Sequence, residues 1–165
     1  MTNIKPKVIM GIDPGFATVG FGFITCEKNP QIISCGCIET TPDTEFKERL
    51  NIIHRELKEL IDKYQPEIVG VEEIFFANNA KTAINVSHAR GVILLTLSQD
   101  NLPIYEFTPL QIKQAITGYG KADKKQVEEM VMISLKLKQR PKRDDAADAL
   151  AIALTTMYSL NSPLK

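Results

Sequence analysis

The spacing of hydrophobic and polar residues changes several times along the chain, and each change predicts a different element. The continuous apolar run Val8–Ile12 is typical of a strand covered on both faces, and the Pro-Gly pair at 14–15 ends it. Residues 20–25 and 31–39, separated by a turn at Glu27–Pro30, indicate two more strands. These three strands are expected to form an antiparallel meander.

Helical spacing begins after the third strand. Apolar residues recur at three- and four-residue intervals between Phe46 and Tyr64, which indicates a long amphipathic helix that Pro66 ends. The remaining expected elements are a strand at Ile68–Val71, a helix at Asn79–Ser98, a strand at Ile104–Phe107, and helices near Leu110–Ile116, at Asp123–Leu137 and at Asp144–Leu160. This order predicts an α/β protein with a mixed five-stranded sheet flanked by helices, in which strands separated by a helix run parallel.

Composition agrees with one soluble domain. The chain has 44% hydrophobic and 24% charged residues, and no repeat or linker interrupts it, so we expect residues 1–165 to form a single domain with a flexible C-terminal tail. No apolar run reaches the roughly 18 residues that span a bilayer, and the N-terminal apolar segment indicates a strand rather than a signal peptide. Cys26, Cys35 and Cys37 lack zinc-site spacing, and we interpret them as reduced, mostly buried thiols of a cytoplasmic protein.

Charge is balanced overall but divided along the chain. The formal net charge is zero, yet residues 39–73 contain ten acidic and five basic residues, whereas residues 108–143 contain nine basic and three acidic ones. The basic stretches KQAITGYGKADKKQ and KLKQRPKR fit solvated helix faces and nucleic-acid contacts equally well. Charge alone therefore does not identify a partner.

Four acidic residues fall where the predicted fold brings them to one edge of the sheet. Asp13 ends the first strand and Glu72 ends the strand after the long helix, so parallel neighbours would present both at their carboxyl ends. Asp145 and Asp148 share one face of the last helix, where Asp148 interrupts an apolar stretch. An unpaired buried carboxylate costs several kcal/mol, so Asp148 needs a partner or a metal ion.

Oxygen ligands without His or Cys indicate Mg²⁺ or Mn²⁺ rather than zinc. Two such ions about 4 Å apart can activate a water and stabilise the leaving oxygen of a phosphodiester. Each acid also has an ordinary interpretation: Asp13 as a turn residue, Glu72 as a surface acid, and Asp144 or Asp145 as a helix N-cap. Asp148 fits such an interpretation least, because its neighbours are apolar on both sides.

Four blocks occur together in one order and spacing: GIDPGFATVGFG, VEEIFFANNAKTAINVSHARGV, QIKQAITGYGKADKKQV and DDAADALAIA. From about Val8 to Met157 the chain thus resembles the RuvC-type crossover junction endodeoxyribonucleases. The resemblance implies a ribonuclease H-like fold and a Mg²⁺-dependent homodimeric Holliday junction resolvase, which makes paired symmetric nicks in four-way DNA junctions during recombination and repair. It also implies a branch-migration motor of the RuvA and RuvB type as a partner.

The resemblance assigns the catalytic, metal-binding acids position by position, as Asp13, Glu72, Asp145 and Asp148. It implies two Mg²⁺ ions per active site, with Mn²⁺ able to substitute. Some family members carry His at the position of Asp145. Asp144 could also face the site, but alignment on D-A-A-D favours Asp145 and leaves Asp144 as a helix cap.

The resemblance also indicates residues that contact DNA. Phe75 matches an aromatic residue that stacks at the crossover point, although either Phe75 or its neighbour Phe76 could face inward. The helix Asn79–Ser98, apolar on more than one face, matches the family's dimer interface. The basic residues expected to contact phosphates are Lys113, Lys121, Lys124 and Lys125.

Two other functions remain open from the sequence. One is a phosphodiesterase of the same fold that trims RNA precursors, and the other is a DNA-structure binder without a metal. The block QIKQAITGYGKADKKQ favours the junction enzyme over the first, and the intact acids argue against the second. Two-metal chemistry needs no histidine base, so we interpret His88 as structural or interfacial and His54 as a surface residue.

Overall fold

The computed structural model describes residues 7–74 and 80–161, and within them five strands form one mixed sheet. The strands are β1 Val8–Asp13, β2 Thr18–Thr25, β3 Ile32–Glu39, β4 Ile68–Glu72 and β5 Ile104–Phe107. Their order across the sheet is β3-β2-β1-β4-β5. The β1–β2 and β2–β3 pairs are antiparallel, whereas β1–β4 and β4–β5 are parallel. The predicted meander, the parallel crossovers and the α/β class are confirmed.

The helices of the described residues cover both faces of this sheet. They are α1 Phe46–Tyr64, α2 Ala80–Gln99, α3 Pro109–Thr117, α4 Lys124–Ser134 and α5 Asp144–Asn161. One core packs α1 and α2 against one face of the sheet, and a second core packs α3, α4 and α5 against the other. In β1, Met10 and Ile12 face the first core and Ile9 faces the second, which explains the continuous apolar run of this central strand.

Two predicted boundaries are wrong by two residues or more: β2 begins at Thr18 and not at Gly20, and α4 ends at Ser134 and not at Leu137. Lys136 has a left-handed backbone with φ of 51°, and the N–H of Leu137 donates to the carbonyl of Met132 at 2.9 Å. This arrangement is a Schellman-type helix end, in which the residue after the left-handed position commonly packs back on the helix. Leu137 packs on the second core for that reason, and its apolar character made the helix look longer in the sequence.

The last helix lies unusually close to the sheet. A Cβ added at Gly11 would collide with the carbonyl oxygen of Ala149, and one at Gly20 would collide with the carbonyl oxygen of Asp145. Glycines in β1 and β2 therefore permit a close approach that no other residue allows. This contact places the N-terminal turns of α5, with Asp145 and Asp148, over the carboxyl end of β1.

Two further expectations concern the environment of the chain. Cys26, Cys35 and Cys37 are free thiols as predicted, but all are partly exposed rather than mostly buried. Cys35 and Cys37 are partly exposed because β3 is an edge strand. None of the helices in the described part of the chain combines the length and hydropathy that a membrane span requires.

Candidate active site at the carboxyl end of the central strands

The central strands bring two carboxylates together. In the parallel pair of β1 and β4, Ile12 lies opposite Val71, so Asp13 and Glu72 leave the sheet side by side. Their side chains share a hydrogen bond. The antiparallel partner of Asp13 is Gly20, the residue against which Asp145 of α5 packs. The sheet edge and the first turns of α5 thus form one acidic cluster from three separate parts of the chain.

Asp13 is the most perturbed carboxyl of this cluster. Burial, together with the nearby charges of Glu72, Asp148 and Asp145, raises the pKa of Asp13 to about 8. The raised pKa favours the protonated form of Asp13, which can donate the shared hydrogen bond to Glu72. A buried acid that repels three others is the situation that a bound cation relieves.

Glu72 has a mixed environment. Burial and the charge of Asp148 raise its pKa, whereas the hydrogen bond from Asp13 and the positive charge of Lys113 act in the opposite direction. Lys113, on α3, therefore lies within electrostatic reach of the acids. Its predicted role as a DNA contact stays a prediction.

Lys124 is the partner of Asp148 in the structure. Its Nζ lies 3.1 Å from Oδ2 of Asp148 and 3.4 Å from Oδ2 of Asp144. Burial raises the pKa of Asp148, and the hydrogen bond from Lys124 opposes that shift. The resemblance places Lys124 at the DNA, and the sequence does not predict this ion pair, because no local pattern links α4 to α5. Asp144 is the first residue of α5 rather than its cap, which corrects the expectation for that residue.

The donor set of the cluster fits a hard divalent cation. It consists only of carboxylate oxygens, the ligands that Mg²⁺ and Mn²⁺ prefer. Within residues 7–74 and 80–161, no group of three or more His, Cys, Asp or Glu side chains has the geometry of a metal site. Lys124 engages Oδ2 of Asp148, so a cation that binds this oxygen has to displace the ion pair.

A surface groove of about 500 Å³ opens beside the acids, between the β1–β2 turn and α2. Asp145 lines it together with Arg49 and Asn85. The Arg49 guanidinium stacks 3.7 Å from the centroid of the Phe16 ring, and Nε donates to Oγ1 of Thr40 at 2.9 Å. Arg49 therefore stabilises the turn that follows Asp13, a role that no pattern in the sequence predicts.

The remaining predicted DNA contacts are only partly described. Lys121 is exposed in the turn before α4, and Lys125 is exposed and pairs with Glu129 at 4.0 Å. Phe75 and Phe76, the predicted helix start at Asn79 and the C-terminal tail lie outside the described residues. The roles of these residues stay predictions.

Both histidines contact residues outside the acidic cluster. His54 is exposed, as expected, and its Nδ1 lies 2.8 Å from Oγ1 of Thr96, a contact between α1 and α2. Because the Thr96 hydroxyl donates to the carbonyl of Val92, His54 is the donor in this pair. His88 is exposed and stands edge-on to the Phe46 ring, with the ring centroids 5.4 Å apart.

Known proteins resemble this chain over nearly its whole length. The sequence model of the family "Crossover junction endodeoxyribonuclease RuvC" matches residues 9–156. The crossover junction endodeoxyribonuclease RuvC of Caldicellulosiruptor saccharolyticus is 49% identical over 158 residues, covering 94% of this chain and 95% of the relative. That of Halothermothrix orenii is 50% identical over 157 residues, covering 93% and 95%.

A solved structure extends the similarity to three dimensions. Thermus thermophilus RuvC in complex with a Holliday junction substrate superposes with a TM-score of 0.88 at 36% identity, over 93% of this chain and 94% of the other. The ribonuclease H-like architecture expected from the resemblance is thereby confirmed. The family match and the near-complete coverage of the relatives show that this chain belongs to the RuvC family of crossover junction endodeoxyribonucleases.

Proposed function

We propose that this protein is a Holliday junction resolvase, a metal-dependent endonuclease that hydrolyses phosphodiester bonds in four-way DNA junctions. Family membership supports the reaction class. The Thermus thermophilus relative, whose structure contains a Holliday junction, supports the substrate. The observation that carries the chemistry is the meeting of partly buried acids from β1, β4 and α5 at one edge of the sheet, where the pKa of Asp13 is raised to about 8.

The four acids of the cluster are assigned here as the ligands of two Mg²⁺ ions, which Mn²⁺ can replace. They are Asp13, Glu72, Asp145 and Asp148. When bound, the ions supply an activated water and stabilisation of the leaving oxygen. The raised pKa values of Asp13 and Glu72 support the assignment, because both carboxyls gain from a cation that favours their charged forms.

The lysines neutralise charge in turn. In the structure, Lys124 forms an ion pair with Asp148 and so balances its charge. When metal and DNA occupy the site, we expect Lys124 to move to a DNA phosphate, which is a compact anion suited to an ammonium group. Lys113 acts electrostatically on Glu72, and we expect it to contact a DNA phosphate near the cluster. Lys121 and Lys125 extend the basic surface along α4.

Paired nicking requires two active sites, and α2 supports a homodimer. Ile84 and Leu95 are 56% and 57% exposed on this helix, although both are large apolar residues. Gly91 lies between them in an open position where nothing would contact an added Cβ. Such an apolar stripe suits a two-fold interface between copies of the chain. A cytoplasmic location, stacking by Phe75 at the crossover and a RuvA and RuvB type motor complete the proposal.

A substrate comparison tests the proposed function. The purified protein is incubated with a synthetic mobile four-way junction, a linear duplex of the same sequence and an RNA hairpin, each with Mg²⁺ or with EDTA. We expect nicks in the junction only, placed symmetrically in two strands and only with Mg²⁺. Preferential cleavage of the RNA hairpin would favour the precursor-trimming function, and binding of the junction without cleavage in any metal would favour a structural DNA binder.

A further inference from the structure

One arginine of α2 contacts the end of β4 directly. Nε of Arg90 donates to the backbone carbonyl of Glu72 at 3.3 Å, and Nη2 lies 3.1 Å from Oε2 of Glu106 on β5. The Arg90 side chain is only 19% exposed. The guanidinium therefore joins a helix of one face to the ends of two adjacent strands.

The Glu72 carbonyl lies just beyond the paired residues of β4 and β1. The last paired residues of β1 and β4 are Ile12 and Val71, so Glu72 is one residue beyond this ladder. On the other side the ladder continues, because the N–H of Glu73 donates to the carbonyl of Phe107 at 2.8 Å. A partly buried carbonyl without a donor loses free energy, and Arg90 supplies the donor.

Glu106 makes this contact directional. An arginine presents its N–H groups in a rigid planar fork, so an ion pair at Nη2 limits the directions in which Nε can point. Glu106 is fixed by the pairing of β5 with β4, so its ion pair with Nη2 orients the Arg90 guanidinium towards the end of β4. The backbone conformation at Glu72 sets where its side chain leaves the strand, and hence its approach to Asp13.

We propose that Arg90 is a positioning residue for the reaction: it fixes the carbonyl of Glu72 and thereby the placement of the Glu72 carboxylate among the metal-binding acids. This inference rests on the proposed function, because it assigns Glu72 to the site. In this role Arg90 acts through Glu72 and not by direct contact with DNA or the ions. Its effect is on the geometry of a ligand, where a displacement of about 1 Å can cost about a hundredfold in rate.

The test compares Arg90→Met with Arg90→Lys and with a control, Lys58→Met. Lys58 also links two elements, since its Nζ lies 2.6 Å from Oδ1 of Asp100 at the far end of α2. We expect Arg90→Met to slow single-turnover junction cutting by about 10- to 100-fold with an unchanged junction Kd. We also expect it to need at least about fivefold more Mg²⁺ for the half-maximal rise in Tm, measured without DNA. Arg90→Lys should recover part of both losses, because it keeps the charge but not the fork.

The control separates positioning from simple stabilisation. Lys58→Met should lower Tm without changing the Mg²⁺ requirement or the cutting rate. If Arg90→Met behaves in the same way, the inference is wrong and Arg90 only holds elements together. If Arg90→Met does not fold, Glu106→Gln gives the same readouts, and normal values for it would overturn the inference. If the wild-type protein cuts no junction, the proposed function fails, whereas the Mg²⁺ titration of Tm still decides the role of Arg90.

Discussion

At the scale of single residues, the ion pair of Lys124 and Asp148 links the metal site to the DNA surface. Both side chains are partly exposed, at 52% and 36%, so the pair contributes at most about 1 kcal/mol to folding. Its larger consequence is competition, because the ammonium group and a cation cannot both take the same carboxylate oxygen. The charge of Asp148 thus has a partner in each state of the protein.

Replacing Lys124 with Met removes this competitor. We expect Lys124→Met to need several-fold less Mg²⁺ for its half-maximal rise in Tm, because Asp148 no longer has to leave an ion pair. The same variant should bind the junction more weakly, with the slope of log Kd against log salt reduced by about 1. Lys121→Met, which replaces an exposed lysine of the preceding turn, is the control and should weaken junction binding and reduce its salt slope without changing the Mg²⁺ requirement. An unchanged Mg²⁺ requirement in Lys124→Met would show that the ion pair does not compete.

The raised pKa of Asp13 predicts a pH-dependent stability in the protein without metal. The pKa rises from 3.8 to about 8 on folding, so the folded state binds more protons between these values. The free energy of unfolding should therefore fall as pH rises from about 4 to about 8, by on the order of a few kcal/mol.

Urea unfolding in EDTA at pH 5 and pH 8.5 measures this difference. Asp13→Asn should remove most of it and should be more stable than the wild type at the higher pH. Mg²⁺ added at pH 8.5 should stabilise the wild type but not Asp13→Asn. A pH dependence that is the same in both proteins would mean that Asp13 ionises normally.

At the scale of elements, the contact of α5 with the sheet decides where Asp145 and Asp148 lie. The helix is made mostly of small and apolar residues because it packs on glycine positions of β1 and β2. Such a close contact cannot relax easily, since the atoms that meet are backbone atoms of two packed elements. A change that disturbs this interface is therefore expected both to destabilise the protein and to displace Asp145 and Asp148.

Gly20→Ala tests this coupling. The new Cβ would meet the backbone of Asp145, so we expect a loss of about 1–3 kcal/mol in the free energy of unfolding and a higher Mg²⁺ requirement. Gly36→Ala is the matched control on the neighbouring strand, where the Cβ meets only the edge of the Phe21 ring at 2.9 Å. That ring can shift, so the control should lose less stability and bind Mg²⁺ normally. If both variants lose the same free energy of unfolding and both keep the wild-type Mg²⁺ requirement, the contact of α5 with the sheet does not set the geometry of the metal site.

Elements were predictable where a single periodicity covers the whole segment. The bounds of α1 and β5 agree with the sequence because their apolar spacing begins and ends cleanly. The end of α4 was not predictable, since Leu137 contributes to the core from beyond the helix. The parallel pairing of β1 with β4 followed from the intervening helix, and with it the proximity of Asp13 and Glu72.

At the scale of the whole molecule, the division of charge along the chain corresponds to a division in space. The acidic stretch includes α1, on one face of the sheet, whereas the basic stretch covers α3, α4 and the turn before α5 on the other face. A neutral protein can therefore present a basic surface beside its acidic site. This arrangement accounts for DNA binding without a net positive charge.

The candidate site was predictable only in part, because some of its contacts join residues that are far apart in sequence. Acids at strand ends and on one helix face can be located from local pattern, and the resemblance to a known family named the same four positions. The contacts of Lys124 with Asp148, of Arg49 with Phe16 and of Arg90 with Glu72 join residues far apart in sequence. Such pairs follow from tertiary packing, and neither periodicity nor composition contains them.

The central claim is that acids from separate parts of the chain act as one metal-dependent site, and Asp148→Asn tests it most directly. Cutting and binding of a four-way junction are measured side by side in Mg²⁺ for this variant, the wild type and Glu73→Gln, a control that removes a charge next to Glu72. The account predicts that Asp148→Asn binds the junction with unchanged Kd but cuts it at least about a thousandfold more slowly, whereas Glu73→Gln cuts normally. Cutting by Asp148→Asn at the wild-type rate would contradict it.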